Sequence, residues 1–166
     1  MSTVTFQSNP VELAGNFPQV GQSSPDFTVV GGDLSEITRE SLKGKNVVLS
    51  FFPSVHTGVC AMGMRKFNGA ASSVADTVIL GVSQDLPFAA GRFCSAEGIE
   101  AVKTGSTFRN NEVLEAFGVK ISEGALANIS ARAVVVLDKE SNVVHSELVA
   151  EITDEPNYEA ALAVLK

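Results

Sequence analysis

A chain of 166 residues, 45% hydrophobic and only 19% charged, has the size and apolar content of one globular domain with a sizeable core. A formal net charge of -7 with no Lys/Arg block excludes a nucleic-acid partner, because nothing here could displace counterions from a phosphate backbone. No stretch of about 18 apolar residues could span a membrane, and the opening Met1-Ser2-Thr3-Val4-Thr5-Phe6-Gln7 lacks the basic and apolar regions of an export signal, so the chain reads as soluble and cytoplasmic.

In chain order, Val4 and Phe6 alternate with polar neighbours, Asn9-Pro10 signals a turn, and Val11 and Leu13 alternate again, which predicts an N-terminal β-hairpin. Pro18, Gly21 and Pro25 punctuate a loop before a short strand, Phe27-Thr28-Val29-Val30, stopped by Gly31-Gly32. Leu34, Ile37 and Leu42 are read as a short helical piece ended by Gly44. Val47-Val48-Leu49-Ser50-Phe51-Phe52 has the length and residue types of a buried strand, and Pro53, which has no N–H to give a ladder, ends it. Met64, Phe67, Ala71 and Val74 then recur at spacings of three and four opposite Arg65, Lys66 and Asn68, the pattern of an amphipathic helix. Gly63 near its start weakens the first turn by about 1 kcal/mol relative to alanine. Thr77-Val78-Ile79-Leu80-Gly81-Val82-Ser83 is a second central strand, and with the first strand and the helix between them it makes a parallel β-α-β unit.

Asp85 is placed to cap a helix entered at Pro87 and ended near Gly98, with Phe88, Phe93 and Cys94 along it. Residues 102–107 are ambiguous and compatible with a short strand, and residues 111–117 read as a short helix closed by Gly118. Small and polar residues mark 121–130 as a loop. Ala131-Arg132-Ala133-Val134-Val135-Val136-Leu137 follows as the most β-prone segment, turning through 138–142 into an antiparallel partner over 143–149. Asp154, Glu155 and Pro156 open a terminal helix with Tyr158, Ala161, Leu162 and Leu165 along one side. This order is that of a thioredoxin-like α/β sandwich, a mixed central sheet between helices with an added N-terminal hairpin, in a single domain over residues 1–166.

The cysteines carry the chemistry. Two of them, Cys60 and Cys94, are too few for a secreted disulfide scaffold and suit a catalytic or redox-sensing pair. Cys60 falls in the first turn of its helix, where unpartnered N–H groups and the positive end of the dipole favour a thiolate. Position alone leaves open the other reading, an inert buried small hydrophobe. Thr57, three residues earlier, can put a hydroxyl beside the sulfur. Arg132 at the head of a central strand reads, on spacing alone, as a surface ion-pair residue. His56 in the turn before the helix reads as solvent-facing, and Arg92 as an exposed arginine. Cys60, Cys94, His56 and His145 lack the paired short spacings of a zinc site, so no metal or other cofactor is expected.

Pro53-x-x-x-Thr57-x-x-Cys60 resembles the peroxidatic motif of the peroxiredoxins. The longer agreement, in Phe52-Pro53-Ser54, Thr57-Gly58-Val59-Cys60, Arg65-Lys66-Phe67-Asn68, Asp85-Leu86-Pro87-Phe88-Ala89, Arg92-Phe93-Cys94, Ser106-Thr107-Phe108-Arg109-Asn110, Ala131 to Val136 and Glu151-Ile152-Thr153, is similar to the atypical two-cysteine thiol peroxidase subfamily. His56 departs from it, standing where that subfamily carries an acidic residue. The resemblance implies an enzyme that reduces hydrogen peroxide and organic hydroperoxides, with Cys60 peroxidatic and Cys94 resolving through an intramolecular disulfide, re-reduction by thioredoxin, and a homodimer. It also brings Arg132 to the sulfur as a donor beside Thr57. Pro53 and Val59 then belong to the substrate pocket, with Phe52 and Phe88 as walls. Two rival functions remain at this level. A C-x-x-C disulfide oxidoreductase is disfavoured by Gly63 in the place of its second cysteine, and a non-catalytic redox sensor would need no fast peroxide step.

Overall fold

The computed structural model describes residues 2–166. Strands β1 (Ser2–Phe6) and β2 (Asn9–Ala14) form the N-terminal hairpin, followed by β3 (Thr28–Val30), β4 (Glu36–Thr38) and β5 (Asn46–Phe51). Helix α1 (Gly58–Ala70) leads to β6 (Thr77–Ser83), α2 (Pro87–Glu97), β7 (Val102–Ser106) and α3 (Glu112–Ala116). The chain closes with β8 (Lys120–Ile121), β9 (Ala133–Leu137), β10 (Val143–Leu148) and α4 (Tyr158–Ala163).

Seven strands make one mixed sheet in the order β10-β9-β5-β6-β7-β3-β4, and β1-β2-β8 make a smaller one. The parallel pairs are β5 with β6 and β6 with β7, the β-α-β unit expected from the two apolar runs. The pleat sorts side chains to two cores. Val47, Leu49 and Phe51, with Ala133, Val135 and Leu137, join Phe27, Leu114 and Phe117 on the face covered by α3 and the hairpin. Val48, Val134 and Val136 point the other way, to Met64 and Phe67 of α1 and Ala161 and Leu162 of α4, with Phe93 and Cys94 of α2 packed against this cluster. Both faces of the central strands are thus dry, which is why β5, β6 and β9 read as continuous apolar runs. Gly118 closes α3 at φ +68, and a Cβ there would stand 2.4 Å from the Asn16 carbonyl carbon, so both backbone and space require glycine.

The structure corrects four local expectations. The hairpin turns at Gln7 and Ser8, both at positive φ as a two-residue hairpin loop demands, and Asn9-Pro10 lies inside β2. Pro10 is tolerated there because β2 meets β8 only at Leu13 and Ala14, leaving Pro10 with one neighbour, Thr5. The helical piece at 34–42 is instead a turn at Leu34, strand β4 with Ile37, and one 3-10 turn, Glu40–Leu42. Leu86, and not Asp85, is the N-cap of α2, and the Asp85 side chain is used elsewhere. Asn157, and not the acidic pair before it, caps α4 by accepting from the Ala160 N–H at 3.0 Å, so Pro156 lies outside the helix.

Candidate active site

Strand β5 delivers the chain into residues 52–57, a loop that α1 leaves at its N-terminus, so Cys60 sits in the first turn of a helix whose opening faces the end of the sheet. The loop is held by one carboxylate. Asp85, at the end of β6, accepts from the Ser54 hydroxyl at 2.8 Å, the Val55 N–H at 2.9 Å and the Ser83 hydroxyl at 2.7 Å. A buried loop N–H is thereby satisfied, and the entry to α1 is tied to the strand that leads to α2. This tie leaves no periodic signature in the sequence.

Cys60 is 2% exposed. The Arg132 guanidinium, itself buried, donates from Nη1 to the Cys60 sulfur at 3.2 Å and from Nε to the Ile152 carbonyl at 2.7 Å. Arg132 stands one residue before β9 and is the partner of Cys60 across 72 positions of sequence, not a surface ion-pair residue. Its second bond fixes the plane of the guanidinium, so the donor facing the sulfur has a set direction. Thr57 is the backbone N-cap of α1 and lines the same cleft, but its hydroxyl donates to the Ser54 carbonyl at 3.1 Å. Its proton is therefore committed, and the oxygen offers lone pairs to a ligand, the reverse of the donor role expected for it.

A cleft of about 420 Å³ opens beside these groups. Pro53, Thr57, Val59 and Arg132 border it, and Phe6, Leu126, Ile129 and Ile152 supply the remaining apolar wall. None of these four was legible as a pocket residue, since each comes from an element distant in sequence. The structure places the two expected aromatic walls elsewhere. Phe52 is buried behind the strand, against the position a Gly81 side chain would occupy, and Phe88 is 69% exposed beside His56, Arg92 and Phe93 in a separate surface hollow. Phe88 sits in the first turn of α2, a helix that packs by Pro87 and Ala90, so its ring turns outward.

Cys94 is not brought to the cleft. It is half-buried on α2 and borders another hollow with Gly91 and Lys103; both cysteines are free thiols. Burial pushes the Cys94 thiol above its ordinary pKa, so it is held protonated until something exposes it. The helices that carry the two cysteines, α1 and α2, are joined by the bidentate pair Arg65–Glu97 at 3.1 and 2.9 Å. On the other flank, Tyr158 of α4 stacks edge-on against Phe67 at 5.1 Å, and its hydroxyl would stand 3.0 Å from a Cβ at Gly63. Gly63 thus lets the Tyr158 hydroxyl of α4 approach closely, besides weakening the first turn. Among the described residues no three of His, Cys, Asp and Glu converge as metal ligands, and no helix is long and apolar enough to cross a membrane.

Chemically, the arrangement is a buried sulfur at a helix start with a fixed cationic donor, and an apolar cleft bordered by that donor and by the Thr57 hydroxyl. Comparison with known proteins agrees with that chemistry. The Redoxin family pattern matches residues 19–162. The thiol peroxidase of Vibrio cholerae serotype O1 is 47% identical over 163 residues, covering 98% of this chain and 99% of its own. The crystal structure of a peroxiredoxin-like protein from Aquifex aeolicus superposes with a TM-score of 0.92 at 41% identity, over 99% of this chain and 96% of that one. The thiol peroxidase from Chromobacterium violaceum shares the fold at a TM-score of 0.90 and 21% identity, over 98% and 94% of the two chains.

Proposed function

The chain belongs to the Redoxin family and is a thiol-dependent peroxidase, and from that premise we propose that Cys60 is the sulfur that meets the peroxide. The single observation that carries the assignment is the Arg132 Nη1–Cys60 Sγ contact of 3.2 Å, made by an arginine that also lines an apolar cleft. The Cys60 thiolate attacks one oxygen of a hydroperoxide, an S–O bond forms as the O–O bond breaks, and the leaving oxygen departs as water or an alcohol after taking from solvent the proton that the thiol released on ionising. Arg132 is aimed where negative charge moves during that transfer, and a donor already in place lowers the barrier without reorganising. Thr57 accepts the O–H of the bound hydroperoxide, which orients its O–O bond. Pro53 and Val59 keep water off the sulfur, and the apolar wall admits organic hydroperoxides as well as hydrogen peroxide.

Cys60 is left as a sulfenic acid, which condenses with the Cys94 thiol to give a disulfide and water. Because Cys60 is buried against Arg132 while Cys94 borders a hollow on α2, the first turn of α1 and the helix bearing Cys94 unwind to let them meet. An external dithiol of the thioredoxin type then reduces the disulfide by exchange, receiving the oxidising equivalents. The reading extends to thioredoxin itself as the reductant, to the whole of residues 1–166 as one catalytic domain, to a homodimer and to the cytoplasm. The experiment is rapid mixing of the reduced protein with peroxide. Cys60 oxidises orders of magnitude faster than a free thiol if the reading is right, and at the rate of a free thiol if it is wrong.

A further inference from the structure

One carboxylate fastens the hairpin tip to the segment that follows β10. Glu151 accepts from the Thr5 hydroxyl at 2.8 Å, the Gln7 N–H at 3.1 Å, the Ser8 N–H at 2.8 Å, and the Thr153 N–H and hydroxyl at 3.0 and 2.8 Å. The Thr153 and Ser8 N–H groups lead in holding its carboxyl down to about 2, so it is ionised wherever the protein works. The residues next to these contacts line the cleft: Phe6 precedes Gln7, and Ile152 and Thr153 follow Glu151. The Ile152 carbonyl also holds Arg132 Nε. A left-handed Gln7-Ser8 turn whose N–H groups converge on one carboxylate has a single position, so the ring of Phe6 is set over the cleft from outside the thioredoxin-like sheet.

We propose that Glu151 is a positioning residue that latches the hairpin over the peroxide cleft and, by placing Phe6, sets the preference for bulky apolar hydroperoxides over hydrogen peroxide. An amide at position 151 would turn its own N–H groups toward the converging donors and release the turn. This rests on Cys60 being the peroxide-reacting sulfur. Phe6 lines the same cleft as Arg132, the residue that contacts the sulfur, yet Glu151 touches neither peroxide nor sulfur.

The test measures the rate constants for Cys60 oxidation by cumene hydroperoxide and by hydrogen peroxide in the parent, Glu151→Gln, Phe6→Ala and the double variant. The ratio of the two rate constants should fall about ten-fold in Glu151→Gln, comparable to losing one aromatic contact to the substrate. Phe6→Ala should lower it similarly, and the double variant no further than either, because both changes remove the same wall. Thr5→Val, which deletes one donor to the carboxylate and leaves the backbone in place, should move the ratio the same way and serves if Glu151→Gln does not fold. A fast parent with an unchanged ratio in the variants, or effects that simply multiply, overturns the latch while leaving the peroxidase reading intact. A parent slow with both peroxides overturns the reading and the latch with it.

Discussion

Replacing Arg132 by methionine removes the cation that contacts the sulfur while keeping a side chain of similar length. At 3.2 Å, a full guanidinium and a sulfur anion attract by about 5 kcal/mol at an effective dielectric of about 20. Much of that attraction is present before peroxide binds, and only the part that grows as charge moves toward the leaving oxygen speeds the reaction. Loss of one aimed donor in a water-poor site lowers the rate about 10²- to 10³-fold, and Arg132→Met is expected in that range for Cys60 oxidation. Arg132→Lys keeps a charge but not the fork that serves both the sulfur and Ile152, so about ten-fold is expected to be lost. The Ile152 carbonyl loses its Nε partner in the methionine variant, at about 1–3 kcal/mol of stability, so thermal unfolding is recorded alongside. The assay is rapid-quench mass spectrometry of Cys60 in a Cys94→Ser background, which isolates the first chemical step. A folded Arg132→Met protein oxidised at the parent's rate would refute the role given to the guanidinium.

Cys94→Ser should leave one equivalent of peroxide consumed and Cys60 trapped as a sulfenic acid, detectable by dimedone and absent in the parent; a disulfide between two chains in this variant would point to another resolving scheme. In Cys60→Ser, Cys94 should alkylate more slowly than a free cysteine near neutral pH, since burial raises its pKa and less of it is thiolate, and mild denaturant should remove the difference. Glu151 has a depressed folded pKa, so its stabilisation is fully present above its ordinary value of 4.5 and is lost as pH falls through about 2. Amide exchange of the hairpin tip should accelerate across that window in the parent and show no such step in Glu151→Gln. Phe67→Ala should destabilise the protein by about 3–5 kcal/mol in urea unfolding, because the ring is 1% exposed and carries the contact to Tyr158.

The strands were legible where both faces are buried. Residues 47–52, 77–83 and 131–137 are apolar enough that no amphipathic alternative competes, and β5, β6 and β9 fall on them to within two residues at either end. Segments whose structure depends on a distant partner were not. Nothing near 34–42 announces that Ile37 pairs with Val29, and Asp85 looks like a helix cap until Ser54 and Val55 are folded against it. The same holds within the site. Cys60 and Thr57 are read from local spacing and helix physics. Arg132 needed the family resemblance, because no local pattern says that a strand-heading arginine reaches across 72 residues. The wall made by Phe6, Leu126, Ile129 and Ile152 has no sequence signature, as a cleft formed by three separate loops and a hairpin is a property of the assembled chain.

The distribution of anchors bears on the proposed departure of the sulfur from its pocket. Ahead of Cys60, Asp85 holds Ser54 and Val55; behind it, Arg65 pairs with Glu97, Phe67 packs on Tyr158, and Asn68 Oδ1 accepts the N–H groups of Glu100 and Ala101 at 3.2 and 2.8 Å. Between those ties, α1 opens with no side-chain cap and carries Gly58 and Gly63, so its first turn is the segment with least to lose on unwinding. Arg132 does not travel with it, being held by Ile152 on the sheet side. A sulfur that moves out toward Cys94 therefore leaves its guanidinium behind, and the surroundings that favour attack on a peroxide are separated from those in which the disulfide closes. In the proposed cycle the first turn of α1 and the helix bearing Cys94 change state, while the bonds made by the two acidic anchors, Asp85 and Glu151, lie outside both segments.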